Sequence, residues 1–177
     1  MWVKQYKNVL KKNEEKFFQE QVMSGNDCPF YLNTEDVGKS KRFFPFFTHI
    51  VLHRPEDSAV NKINSPSYNY LTKLFKNFSK RCNFKYNKIY RICFNITFNN
   101  GTKQSSTHLD HQFPHKQLIL YLHIDDLKSH TCVYNKEETK IKKINPIPNS
   151  VAIWNNLKHY HITPTKGYRL ILVYTFL

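Results

Sequence analysis

Glycine is scarce: the 177 residues hold four. So few glycines exclude a collagen-like or Gly-rich low-complexity chain, and they argue against the clustered-glycine phosphate cradles of Rossmann and P-loop folds. Acidic residues are also few, with 13 Asp plus Glu against 27 Lys plus Arg and a formal net charge of +14. Cys28, Cys82, Cys93 and Cys132 contain no CxxC pair, no zinc-knuckle spacing and no disulfide framework, so reduced, buried thiols are expected. No apolar run approaches the roughly 20 residues of a membrane-spanning helix, and Met1-Trp2-Val3-Lys4 brings charge without an apolar leader. The expected setting is cytoplasmic, or a host's cytoplasm if the chain is viral, with no membrane partner.

What is present is globular in character. Hydrophobic residues make up 40% and charged residues 23%, which is unlike a disordered chain. Aromatic residues reach 15%, with 14 Phe and 11 Tyr. The length fits a single domain spanning 1–177 that needs no disulfide scaffold to fold. The positive excess has two readings. One is a polyanionic partner such as nucleic acid. The other is the codon bias of an AT-rich genome, which also enriches Asn, Ile, Tyr and Phe and favours Lys over Arg. The glycosylation-type triplets at Asn95 and Asn100 are chance matches in an Asn-rich chain.

Hydrophobic spacing divides the chain into a helical and loop part, 1–82, and a strand-rich part, 83–177. Val3, Tyr6, Val9, Leu10, Phe17, Phe18 and Val22 recur at helical spacing and predict a helix over 2–24, stopped by Ser24-Gly25-Asn26-Asp27. Residues 28–40 read as loop. Residues 42–53 are apolar but contain Pro45, which predicts an edge strand or two short pieces. Ser65-Pro66-Ser67 starts a second helix with Ser65 as its cap, and Tyr68, Leu71, Leu74, Phe75 and Phe78 form its apolar face. Beyond residue 82, strands are predicted at 88–98, 117–124, 131–134, 139–144, 151–155 and 168–176. Successive strands with no helix between them exclude a parallel βαβ sheet. The predicted class is α+β, mainly β: a double-stranded β-helix, or jelly roll, buttressed by N-terminal helices.

Three features carry chemistry. His108-Leu109-Asp110 places an imidazole and a carboxylate two residues apart, on one face of an extended segment, where both can reach one metal ion. His159 follows 49 positions after Asp110, and Arg169 comes ten beyond His159. Two histidines and one carboxylate on an open face are the ligand set of non-heme Fe(II) oxygenases. A planar guanidinium suits the far carboxylate of a 2-oxo diacid co-substrate. His161 lies two residues past His159 and is an alternative distal ligand; the ten-residue spacing to Arg169 and the context Asn156-Leu157-Lys158 favour His159. His111 and His115 read as loop residues lining a cleft, and His123 and His130 as exposed strand ends. A cupin reading fits less well, because cupins use His-x-His with a Glu.

From residue 90 to 176, about half the chain, the sequence resembles the Fe(II)/2-oxoglutarate-dependent dioxygenases, in particular the small prolyl-hydroxylase-like branch and its relatives in phages and marine microbes. Arg91 to Asn95 resembles the strand before the metal motif, and Leu118 to Leu122 resembles the family's tyrosine strand. Asn149 to Trp154 resembles a turn and strand in which Asn149-Ser150 replaces the usual Gly. The His159 to Arg169 segment, with Gly167-Tyr168-Arg169, resembles the distal histidine-to-arginine stretch. Ser129-His130 departs from the Gly-Gly pair usual before Thr131. The resemblance implies a jelly roll, Fe(II) on His108, Asp110 and His159, and 2-oxoglutarate on Arg169 with the Tyr121 hydroxyl on the same carboxylate. It implies O2 as oxidant and hydroxylation of a C–H bond on a peptidyl (prolyl-type) or amino-acid substrate, with a protein or another small molecule as further possibilities. The net charge keeps two alternatives open: the same chemistry on nucleic acid, and an inactive β-sandwich that binds nucleic acid. Lys73, Lys76 and Lys80 share one helix face and could follow a phosphate backbone.

Overall fold

Two-residue alternation along three long strands organises the molecule. In β4 (Ile89–Phe98), β5 (Lys116–Ile124) and β10 (Tyr168–Phe176), one set of side chains is almost wholly apolar. Ile92 and Phe94 of β4, Leu118 and Leu120 of β5, and Leu170, Leu172, Tyr174 and Phe176 of β10 bury themselves in one large cluster. The alternate positions mix polar and apolar groups: Arg91, Cys93, Asn95 and Thr97; Gln117, Ile119 and Tyr121; Arg169, Ile171 and Val173. A strand presents odd and even residues to opposite faces. The sheet therefore has a dry outer face and an inner face that can build a site.

The computed structural model describes residues 2–25, 28–36, 42–59 and 61–177. The remaining elements are β1 (Val3–Lys7), α1 (Lys12–Phe17) continuing as a π-helical segment Phe18–Met23, β2 (Tyr31–Glu35), β3 (Phe43–Leu52), α2 (Tyr68–Arg81), β6 (Thr131–Tyr134), β7 (Ile141–Ile144), β8 (Ser150–Asn155) and β9 (His159–His161). Seven strands form one sheet in the order β1-β8-β5-β10-β4-β3-β2, and three form a second in the order β7-β6-β9. Every pairing is antiparallel. Leu71, Leu74, Phe75 and Phe78 of α2, with Phe18 and Val22 of the first helical segment, cover the outer face of the large sheet. Val133 and Ile144 of the small sheet pack with Ile119, Tyr121, Ala152, Trp154, Ile171 and Val173 on its inner face. This is the predicted jelly roll with buttressing helices.

The N-terminal part differs from its sequence reading. Residues 2–24 are not one helix, because Val3–Lys7 is a strand paired with β8, Val3 opposite Trp154 and Lys7 opposite Ser150. Val3 and Tyr6 fit a helical stripe, and the pairing that decides lies more than 140 residues along the chain, from Lys7 with Ser150 to Val3 with Trp154. Asn8 then takes a left-handed backbone (φ 53°), which breaks the strand before α1. The expected loop at 28–40 contains β2; its residues 37–40, like Asn26 and Asp27 of the predicted helix stop, lie outside the described residues. β3 is a single ten-residue strand between β2 and β4 rather than an edge. Pro45 is tolerated because β3 pairs with β4 only from Phe47 onward, and the β2–β3 register shifts beside the proline. Residues 1–82 thus contribute three strands to the large sheet as well as its helices. α2 begins two residues later than Pro66, with the Ser67 backbone N–H donating to Ser65 Oγ at 3.3 Å.

Candidate active site

The inner face of the large sheet and strand β9 enclose a cavity of about 70 Å³. Ile119, Ile171, Val173, Phe44 and Phe46 supply apolar wall, and His108, Asp110, His159, His161, Thr131 and Arg169 supply polar atoms. His108 and His159 come together because their backbones form an antiparallel bridge, each N–H donating to the other's C=O at 3.0 Å. Asp110 lies two residues on from His108, as the extended spacing requires.

One donor atom from each of His108, Asp110 and His159 lies within 4.8 Å of the other two. Each imidazole is oriented by a backbone carbonyl: His108 Nδ1 on Ser106 O at 2.9 Å and His159 Nδ1 on Leu157 O at 3.2 Å. Protonation at Nδ1 leaves the Nε2 lone pair for a metal, the usual means of fixing a ligand's tautomer. Burial and the neighbouring His108 lower the His159 pKa to about 4, against the attraction of Asp110, so the ring is neutral near pH 7. Burial opposes ionisation of Asp110, but His159, Arg91, His108 and Arg54 outweigh it and hold its carboxyl far below the ordinary range. Arg54 Nη2 and Arg91 Nη1 each donate to Asp110 Oδ1 at 3.1 Å. Oδ2 is buried without a hydrogen-bond partner, 3.5 Å from His159 Nε2. An anionic oxygen, the neutral His159 imidazole, whose Nε2 meets the Gln117 amide at 3.3 Å, and the oriented His108 imidazole fit a divalent first-row metal.

The other end of the cavity is built on Arg169, which is 1% exposed. Gly167, at φ 56°, makes the turn into β10, and a Cβ there would lie 2.1 Å from Asp125 Oδ2, so no side chain fits. Arg169 Nη2 donates to Thr131 Oγ1 at 2.6 Å, and the Tyr121 hydroxyl donates to the same oxygen at 2.8 Å. Thr131 therefore accepts twice and keeps its own proton to donate. Arg169 Nε and Nη1 are buried with no partner, and His161 Nε2 is likewise unpartnered. A buried guanidinium with spare donors and no carboxylate beside it among the described residues is a site shaped for an anion. Tyr121 lies behind Thr131, stacked near the Arg169 guanidinium at 5.5 Å from its ring centre, and does not line the cavity.

No protein-family model matches the sequence, and no curated protein matches it. Solved structures do. A 2OG-Fe(II) oxygenase-family oxidoreductase from Burkholderia pseudomallei superposes with a TM-score of 0.77 at 13% identity, over 99% of this chain and 84% of that one. A prolyl hydroxylase from Trichoplax adhaerens, in complex with a hypoxia inducible factor peptide fragment, gives 0.68 at 14% identity, over 99% and 83%. A Pseudomonas putida prolyl-4-hydroxylase gives 0.57 at 11% identity, over 99% and 91%. The fold is that of the 2OG-Fe(II) oxygenases.

Within that fold the two departures noted in the sequence have local explanations. Asn149 holds the left-handed conformation (φ 56°) where a Gly would otherwise stand, and its Oδ1 accepts from the Leu10 N–H at 2.6 Å. Ser129 is fully buried and turns its hydroxyl onto Asp126 O at 2.6 Å.

The remaining histidines divide differently from expectation. His111 and His115 do not line the cavity. Both are buried in an aromatic group with Tyr90 and Phe113, and His111 bonds Glu56 through Nδ1 (2.8 Å) and Thr175 through Nε2 (2.6 Å). His123 is only partly exposed, stacked on Tyr168 and bonded to Asp125. His130 is also partly buried, its Nδ1 without a partner. Thr131, Arg54 and Arg91 were not singled out as site residues. Period-two alternation of Arg91, Cys93, Asn95 and Thr97 is a signal that could have flagged the polar face of β4; nothing local marks Thr131 or Arg54. Lys73, Lys76 and Lys80 are exposed on α2, on the far side of the large sheet from the cavity.

Proposed function

We propose that this protein is an Fe(II)- and 2-oxoglutarate-dependent dioxygenase that hydroxylates a C–H bond on a peptidyl or amino-acid substrate. The observation that carries the reading is the sharing of one cavity by two complementary ends: three oriented metal donors, and a buried arginine whose Nε and Nη1 have no partner. His108, Asp110 and His159 would hold the iron. When bound, the iron with 2-oxoglutarate and O2 supplies the oxidation, in which the oxo acid loses CO2 to give succinate and a substrate C–H becomes C–OH.

The chain's own residues do the rest. Arg169 binds one carboxylate of 2-oxoglutarate with charge-assisted hydrogen bonds, and Thr131 adds a neutral one. Tyr121 acts through Thr131, fixing the direction of its hydroxyl. The Nδ1–carbonyl bonds of His108 and His159 keep both imidazoles aimed at one point. Ile119, Ile171, Val173 and Phe44 exclude water from the reacting atoms. A peptide-bound prolyl hydroxylase among the structural neighbours supports the substrate class. The basic face of α2 lies away from the cavity, which disfavours nucleic acid as the substrate. The test is anaerobic reconstitution with iron followed by admission of O2. Succinate formed in proportion to 2-oxoglutarate consumed, dependent on iron, supports the proposal; no succinate from iron-loaded protein with any amino-acid or peptide substrate rejects it.

A further inference from the structure

Two arginines share one carboxylate oxygen at the metal end of the cavity. Arg54 follows β3 and Arg91 lies on β4; each spends a single N–H on Asp110 Oδ1, at 3.1 Å. A guanidinium has five N–H donors, so each keeps four. Among the described residues neither guanidinium makes a further hydrogen bond, and both side chains line the cavity. Orienting Asp110 needs one such bond. A second guanidinium on the same oxygen brings like charges together, at an energetic cost that the orientation of Asp110 does not explain.

The local charge makes the same point. Asp110 is shared between Arg54, Arg91 and the metal donors. Asp36, the other carboxylate in the cavity wall, is occupied by the Ser106 N–H and lies 3.5 Å from Arg42. The carboxylates near the two arginines are thus already committed, Asp110 to the metal donors, Asp36 to Arg42, and Asp57 to His53 and the Arg54 backbone N–H, while the planar guanidinium forks keep N–H donors that match an oxyanion.

We infer that the substrate carries its own oxyanion, a carboxylate or phosphate, and that Arg54 and Arg91 bind it next to the metal. This rests on the proposed function and narrows it: a free amino acid, an acidic residue or a phosphorylated group fits, and a neutral prolyl peptide does not. The oxyanion is distinct from 2-oxoglutarate, whose carboxylate belongs to Arg169 at the opposite end.

The experiment uses zinc in place of iron, so that nothing turns over. Zinc stoichiometry and 2-oxoglutarate affinity of the wild-type protein are measured first; if either is absent, the proposed function itself fails. The zinc and 2-oxoglutarate complex of ¹⁵N-labelled protein is then titrated separately with sulfate and with acetate, following the arginine Nε–H resonances. The expected result is a saturable shift of the Arg54 and Arg91 signals, unaffected by excess 2-oxoglutarate; tighter binding of acetate or of sulfate tells a carboxylate from a phosphate-like preference. Arg54→Gln should weaken that binding tenfold or more while zinc stoichiometry and 2-oxoglutarate affinity stay within twofold, because Arg91 still holds Asp110. If Arg54→Gln loses zinc, Arg54→Lys decides: zinc retained with anion binding weakened supports the inference, and zinc lost again makes Arg54 a positioning residue and overturns it. No saturable shift, a shift competed away by 2-oxoglutarate, or unchanged anion affinity in Arg54→Gln also overturns it.

Discussion

Replacing Arg169 by methionine should make the unliganded protein more stable and its co-substrate weaker. Arg169 is buried, and its cation meets a threonine hydroxyl and a tyrosine face rather than a carboxylate among the described residues. Burial pushes its pKa down, which is the same strain seen from the proton's side. Exchange of buried charges for packed apolar side chains commonly stabilises by about 1–4 kcal/mol. At this chain length each kcal/mol moves Tm by about 2–4 °C, so a rise of at least about 2 °C is expected for Arg169→Met. The ligand effect has the opposite sign. Charge-assisted hydrogen bonds contribute about 1.5–3 kcal/mol each, so the loss of one weakens 2-oxoglutarate by about tenfold or more. At a concentration 100 times the wild-type Kd the ligand stabilises by about 2.7 kcal/mol; tenfold weaker binding leaves about 1.4 kcal/mol or less. Thermal unfolding of the zinc-loaded proteins, with and without 2-oxoglutarate, reads both quantities. A variant that melts lower than wild type yet keeps the full ligand-induced shift would refute the reasoning.

Thr131→Val removes the hydroxyl that Arg169 and Tyr121 share and should weaken 2-oxoglutarate binding by about tenfold, the effect of roughly one hydrogen bond of 1–1.5 kcal/mol; Tyr121→Phe should cost less, because Tyr121 reaches the ligand only through Thr131, and calorimetry that ranks the two the other way contradicts this. Arg81 grips buried Glu14 through two bonds, of 2.6 and 2.7 Å, and Arg81→Ala should lower stability by about 3 kcal/mol in a denaturant titration by stranding the carboxylate. Burial raises the Glu14 pKa, but Arg81, the Lys11 N–H and Asn77 together bring it below 4.5. The pair's stabilisation is therefore complete above pH 4.5 and lost as pH falls through the lower folded-state value, so wild type and Arg81→Ala should converge in stability at strongly acid pH and differ most above it. Charge reversal of Lys73, Lys76 and Lys80 should leave succinate formation within twofold of wild type, since that face lies across the sheet from the cavity; a large loss would return nucleic acid to consideration as substrate.

How much of this was legible depended on range. The strands of residues 89–176 could be read because each has a local signature: the alternation in Ile89–Phe98 and the nearly continuous apolar runs in Lys116–Ile124 and Tyr168–Phe176. β1 was not legible, because Val3 and Tyr6, three residues apart, match a helical period and fall on opposite faces of a strand, and only pairing with β8 makes Val3–Lys7 extended. β9 is three residues long, too short for any periodic signal, yet it carries His159, the candidate distal ligand. The candidate metal donors were legible as types and order, His108, Asp110 and His159. Between His159 and His161, the backbone bridge to His108 places His159 Nε2 3.5 Å from Asp110 Oδ2, while His161 Nε2 lies unpartnered in the same cavity. Thr131 and Arg54 could not be read, since each takes its place from a tertiary contact: Thr131 from lying between Tyr121 and Arg169, Arg54 from a loop folded against Asp110.

The central claim is that His108, Asp110 and His159 are the metal ligands. Its most direct test is the metal stoichiometry of wild type, Asp110→Ala, His159→Ala and His161→Ala, each checked for cooperative unfolding, after anaerobic loading with Fe(II) and removal of excess. The account predicts one iron per chain in wild type and in His161→Ala, and little or none in Asp110→Ala and His159→Ala. Iron retained by His159→Ala and lost from His161→Ala would contradict it.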